Sequence, residues 1–422
     1  MLGHSFPTRR SPDLAAAARA YDETLTVDPR FVPASLQLGA LLMKQNRTGD
    51  AVAVLKRAQT SGVAPATLQV ALGQALLGAG DVERARKTFK EVLAQTPKDA
   101  PARLGLASAL EAARDKTGAR RELEALLSDS PDLPGLRPRL AELLVGAGDR
   151  DKAAALYQTE IDSGKASLAT RLAAAKLAFE MGRGPTAQAL LEKLVAEAPQ
   201  TPGALLLLGK VRMAAGDVAG ALSELRRALS FESTPELHFE HGRALAAGGS
   251  EEKALSEYEQ ATGIPAALVA RGKIMLARGD TEHSVPLLET ALKEAPDNNE
   301  GWLLLGNGYD RMGIGAKAVS AWRQAARVVP ENAEVHYHLG RWEMNQGQPG
   351  AALTHLRLAA SRAPTAARWL TDLYFQLGFA EKAKGTRPAA AAALRKYLTL
   401  APADAPSRAE VERQLTALSA GP

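Results

Sequence analysis

A motif of close to 34 residues recurs through nearly the whole of this 422-residue chain, and it rules out folding around one central core. The clearest copy runs from Asn299 to Asn332. It carries Trp302, Leu305, Gly306, Tyr309, Ala318, Trp322, Ala325 and Pro330 at positions 4, 7, 8, 11, 20, 24, 27 and 32. The copy at 333–366 repeats Leu339, Gly340, Ala352, Leu356, Ala359 and Pro364 in the same register. Such a chain grows by adding units, each burying its apolar face against its neighbours.

Within a copy the markers fall three and four residues apart, so they share one face of an α-helix. Positions 4, 7, 8 and 11 are predicted on a first helix, A, and positions 20, 24 and 27 on a second, B. Between them lies a turn such as Gly80-Asp81, Gly148-Asp149, Gly216-Asp217 or Gly279-Asp280. Glycine adopts the left-handed conformation that ends helix A, and aspartate is expected to cap helix B. Small residues at positions 8 and 20 let the helices cross closely. Proline at position 32 stops helix B, because it lacks a donor and clashes one turn back.

These markers resemble the tetratricopeptide-repeat (TPR) family, at all eight places in the 299–332 copy. The resemblance implies an all-α, right-handed superhelical solenoid of stacked helix-turn-helix units. The units are set at 32–65, 66–99, 100–133, 134–167, 168–201, 202–234, 235–264, 265–298, 299–332, 333–366 and 367–404. The unit 235–264 is short, and the last carries an insertion near Lys384-Gly385-Thr386. Residues 15–31 read as a helix B without its helix A. Residues 405–422 hold a polar helix expected to solvate the end of the array. Residues 1–14 fit neither the repeat nor a secretion signal, whose apolar segment they lack. They resemble translated sequencing-adapter read-through, and an N-terminal truncation is the expectation.

Aromatics are 5% of the chain and β-branched runs are missing, which favours helix over strand. The absence of cysteine excludes disulfides, thiol catalysis and cysteine-based zinc sites. No apolar run is long enough to span a membrane. The net charge of +5 is spread thinly without a basic, aromatic-interleaved cluster, so nucleic acid is not an expected partner.

Among seven histidines, His238 and His241 are three apart, and His336 and His338 two apart. No third ligand stands at suitable spacing, and both pairs fall at or beside packing positions, so no metal site is expected. Ser163-Gly164-Lys165 lacks the upstream glycine and the following Ser or Thr of a phosphate loop. The glycines at 306, 308, 313 and 315 belong to a helix and a repeat turn, not to a dinucleotide fingerprint. No nucleophile motif appears, no cofactor is expected, and the chain reads as non-catalytic.

In the TPR family the face of helix A bearing positions 2, 5, 9 and 12 lines a concave groove that binds peptides or partner helices. Position 9 here reads Lys176, Lys210, Arg243, Lys273, Asn307 and Arg341, and position 5 reads Leu172, Leu206, Phe239, Val269, Leu303 and Tyr337. Earlier copies place Ala40, Gln74, Ser108 and Glu142 at position 9. A basic ladder beside an apolar stripe suits an acidic peptide with hydrophobic anchors. Alternatively, the long cations only solvate helix A, their stems covering apolar surface. Glu236, Glu300, Asp310 and Glu334, at positions 2 or 12, temper the charge. The expected function is a protein–protein interaction scaffold, bacterial by its Ala, Gly and Arg content. One alternative is an envelope subunit of an exopolysaccharide export or outer-membrane assembly system. Another is the substrate-recruiting region of a larger enzyme such as a glycosyltransferase.

Overall fold

The computed structural model describes residues 14–60 and 64–419, so the leader expected at 1–14 lies outside the described residues save for Leu14. Among the described residues there are 24 helices and no strand. They group into two compact units, one ending at Glu197 and one beginning at Ala198.

In the first unit α1 (Leu14–Val27) precedes five helix pairs. These are α2 (Val32–Lys44) with α3 (Thr48–Thr60), α4 (Ala66–Gly78) with α5 (Val82–Gln95), α6 (Ala100–Ala112) with α7 (Lys116–Asp129), α8 (Leu136–Gly146) with α9 (Arg150–Asp162), and α10 (Leu168–Glu180) with α11 (Gly184–Glu197). The second unit continues with α12 (Pro202–Ala214) and α13 (Val218–Phe231), α14 (Pro235–Ala247) and α15 (Glu251–Gln260), and α16 (Pro265–Ala277) and α17 (Thr281–Glu294). Then come α18 (Asn299–Arg311) and α19 (Gly315–Val328), α20 (Ala333–Asn345) and α21 (Pro349–Arg362), α22 (Leu370–Ala383) and α23 (Arg387–Leu400), and finally α24 (Arg408–Ser419). Within each unit a helix packs most extensively on its hairpin partner. The all-α class and the repeated helix-turn-helix packing follow the repeat.

The crossing inside each pair is set by positions 8, 20 and 24. Trp322 of α19 is fully buried against the backbone of Gly306 in α18, where any side chain would collide with the indole. In α4 a Cβ on Gly73 would stand 2.7 Å from the ring of Phe89, which is fully buried on α5. The position-20 alanines Ala85, Ala119, Ala221 and Ala318 are all completely buried. Ser284 takes that place in α17, and its hydroxyl donates to the Gly272 carbonyl at 2.8 Å, so its burial leaves no polar group unpaired.

Turn chemistry closes each hairpin. Gly216 holds φ 81°, and Asp217 then accepts from the backbone N–H of Gly220 at 2.8 Å to cap α13. Asn46 and Arg114 occupy the same left-handed place with φ 62°, so glycine is preferred there and not obligatory. Asp149 corrects an expectation, since its carboxylate makes no cap and accepts from Arg120 Nη1 at 3.0 Å instead. Helix B ends two residues before its proline, at Gln95 before Pro97 and at Val328 before Pro330. The residue preceding proline is sterically driven out of the helical region, which moves the stop upstream.

Gly306→Ala should therefore overpack the α18–α19 crossing and destabilise it by about 1–3 kcal/mol, the usual range for an inserted methyl in a filled core. Hydrogen exchange should show the loss concentrated in α18 and α19, with α1 to α5 unchanged, because stability in such arrays is a sum of local terms. A uniform loss of protection along the chain would contradict this.

Candidate partner-binding site

Position 5 on helix A points obliquely to the hairpin interior, and position 9 lies one turn further along the same face. In the second unit this geometry brings four of the twelve residues expected in the groove to one place. Phe239 and Arg243 of α14 and Val269 and Lys273 of α16 line an open groove of about 610 Å³. Met213 of α12, Ala270 and Ile274 of α16 and Tyr258 of α15 extend its apolar wall. The Tyr258 hydroxyl is pushed up to about 12 by burial and stays neutral. Val269 is only 4% exposed and offers the groove little surface.

Arg243 and Lys273 are exposed and Lys210 and Arg341 half-buried, and all four are paired. Lys210 Nζ stands 3.2 Å from Glu236 and 3.6 Å from the buried Glu240, and Arg243 Nη1 lies 2.8 Å from the same Glu240. Lys273 Nζ lies 2.7 Å from Glu300 of the following repeat. Arg341 pairs with Asp310 of the preceding repeat. Two of these links, Lys210–Glu236 and Lys273–Glu300, run from position 9 of one repeat to position 2 of the next. Lys210, Lys273 and Arg341 thus form inter-repeat ion pairs and Arg243 one within its own helix, so the field of these four is smaller than that of free cations. Arg243 and Arg341 also lie over the rings of Phe239 and Tyr337, at 5.9 and 5.8 Å from the centroids.

The remaining expected residues are dispersed. Lys176 is exposed and Leu172 half-buried on α10, in the first unit. Leu206 and Leu303 are half-buried on α12 and α18. Asn307 turns inward, its Oδ1 accepting from Trp322 Nε1 at 3.1 Å. Tyr337 corrects an expectation: it is 5% exposed, stacked on Trp369 and donating to Asp372 at 2.8 Å, so it belongs to the core. Burial and the Asp372 charge raise its hydroxyl above the ordinary phenol range.

The first unit holds a groove of about 490 Å³ on the equivalent face, between Gln74 and Leu77 of α4 and Leu104 and Ser108 of α6. Its cation is Arg139 of α8, which donates to Ser108 at 2.8 Å and to both carboxylate oxygens of Glu111. Arg139 sits at position 6, so reading position 9 alone missed it. The histidine pair on α14 is joined by Glu257, whose oxygens lie 2.7 Å from His238 and 3.2 Å from His241. Among the described residues no group of three or more such side chains has the geometry to hold a metal ion. Among the described residues no helix is long and apolar enough to cross a membrane.

Tetratricopeptide-repeat family models match residues 9–64, 76–144, 172–238 and 308–367, together more than half of the sequence. The chain belongs to the tetratricopeptide-repeat family. Proteins built from TPR repeats are generally interaction scaffolds that bind protein partners. Similar solved structures include a chain of the APC/C hetero-tetramer Cut9–Hcn1, with 14% identity, TM-score 0.49, and 87% of this chain and 93% of that one covered. Pseudomonas aeruginosa pilF gives 17% identity and TM-score 0.47 over 50% of this chain and 97% of its own. The C-terminal part of a TPR repeat-containing protein from Cytophaga hutchinsonii gives 15% and 0.42 over 57% and 98%. No curated protein shows significant similarity to the chain.

Lys273 and Glu300 are both more than half exposed, so their pair should contribute little to stability. A double-mutant cycle of Lys273→Ala and Glu300→Ala, read by denaturant unfolding, should give a coupling under about 1 kcal/mol. A larger coupling would make the ladder a structural zipper and remove the reason to assign it to binding.

Proposed function

We propose that this TPR chain is a non-catalytic scaffold that docks a peptide or partner helix in the groove between α14 and α16. One observation carries the reading: Phe239, Arg243, Val269 and Lys273, expected on one binding face, line a single groove of peptide-binding size with an apolar wall. Phe239, Ile274 and Met213 accept apolar anchors. Arg243 and Lys273 stand at its rim, 49% and 61% exposed, where they meet carboxylates of a mildly acidic partner. Such a partner competes with the exposed Glu300, while the buried Glu240 keeps its hold on Arg243, so the charges set recognition and encounter rate more than affinity. Pairing within the ladder also disfavours nucleic acid, whose binding requires cations free to replace counterions.

Peptides selected on the full chain from a random display library test this. Phe239→Ala should weaken the selected peptides by tenfold or more, the loss of about 1.4 kcal/mol typical of a groove anchor. Lys273→Glu should slow association and flatten its salt dependence. Peptides indifferent to both substitutions would place the binding surface elsewhere and sink this assignment.

A further inference from the structure

The two helices of a hairpin meet at positions 4 and 23, and three hairpins carry a polar contact there. Arg103 donates to Glu122 at 3.1 Å, and His238 Nδ1 lies 2.7 Å from Glu257. In the third, His336 of α20 faces His355 of α21, Nδ1 to Nδ1 at 2.8 Å, with the rings stacked at 5.0 Å. The first two pair a basic group with a carboxylate. The third pairs two groups that both acquire positive charge in acid.

The hydrogen positions are fixed by chemistry. His336 Nε2 lies 2.8 Å from the Pro330 carbonyl, which only accepts, so that nitrogen carries a hydrogen. In the neutral pair His336 Nδ1 is therefore bare and accepts from His355 Nδ1–H. This leaves His355 Nε2 bare, 3.8 Å from Glu343 Oε1. One proton can be added at His355 Nε2 with the chain intact. A second places hydrogens on both facing Nδ1 atoms and breaks it.

We propose that the His336–His355 contact is an acid-sensitive joint, holding α20 to α21 at neutral pH and releasing them as the pH falls. The other charged groups around it are accounted for. Arg323 comes from α19 and Glu343 from α20 itself. From α22, Asp372 is held by Tyr337 and Glu381 by Arg357. His338, also on α20, stacks on Trp322 and faces Glu334. Burial, then the charges of His336 and Arg323, hold His355 below its ordinary value of 6.5. The closed joint binds at most one proton where the opened pair binds two, so its stability falls as pH drops below that value. Each extra proton raises the opened population by up to about tenfold per pH unit. Glu343 acts in the opposite sense: burial raises its carboxyl above 4.5, so the closed state gains a proton and stability at lower pH. Release thus sets in below the ordinary histidine range, and Glu343 offsets part of it without ending it.

Hydrogen exchange of the full chain between about pH 7.5 and about pH 5.5, corrected for intrinsic rates, tests the joint. Opening of α20 and α21 should increase about tenfold or more in acid, while α4 to α7 stay unchanged. His355→Gln carries no charge, and its amide can donate to neutral His336 or turn its oxygen to accept from charged His336, so it should abolish the increase, whereas Glu343→Gln should retain it. An acid increase equal in wild type and His355→Gln overturns the proposal. Should His355→Gln fail to fold, ¹⁵N imidazole spectra of the wild type decide. One shared titration below the ordinary range supports the joint, and two independent titrations within the folded chain overturn it.

Discussion

Everything in this array depends on how closely helix A crosses helix B. The distance is set where a residue with no side chain at position 8 receives a large one from position 24. Trp322 against Gly306, Phe89 against Gly73 and Leu356 against Gly340 are the same contact with three fillings. The bulky partner varies over a glycine, or over Ala107, Ala141 and Ala175 in α6, α8 and α10, so the crossing tolerates several apolar shapes that reach the opposite helix. The alanine at position 20 keeps the second helix equally near. Once these crossings are fixed, the faces left over on helix A are fixed too, and a groove results without any residue being chosen for it.

This explains which parts of the molecule the sequence reveals. The crossing contact joins residues 16 apart, such as Gly306 and Trp322, so its two halves recur together in every copy and stand out. Side-chain interactions that span repeats leave no such trace. Asp149 looks like a helix cap, yet Arg120, 29 residues upstream, takes its carboxylate. Tyr337 occupies a groove position by register but is drawn inward by Asp372 and Trp369 from the following repeat. Arg139 enters the first-unit groove from a position that carries no cation elsewhere. The ladder itself was visible, and so were Glu236 and Glu300. Their pairing with it was not, because register gives neighbourhood and not distance.

Pairing changes what the groove selects. A row of bare cations attracts any anion, whereas a row of ion pairs presents little net field and discriminates by shape. Glu240, buried between Lys210 and Arg243, cannot be displaced by a partner, while the exposed Glu300 can swing away from Lys273 at little cost. The end of the groove near α16 is thus the one where a partner's carboxylate gains most. In the proposed binding mode, apolar anchoring near Phe239 and charge reading near Lys273 give the groove a direction and a peptide one preferred orientation.

The triangle at positions 4, 11 and 23, apolar in some repeats and polar in others, shows how such an array acquires individuality without disturbing its fold. It holds Leu205, Arg212 and Glu224 in one repeat, and Trp302, Tyr309 and Ala321 in another. In α20 and α21 it holds His336, Glu343 and His355. None of these residues sets the helix crossing, so they are free to vary in charge, and each repeat can respond differently to its surroundings. The triangle is also turned away from the face that carries positions 5 and 9. In the proposed joint the titrating pair thus lies off the face proposed to bind a partner.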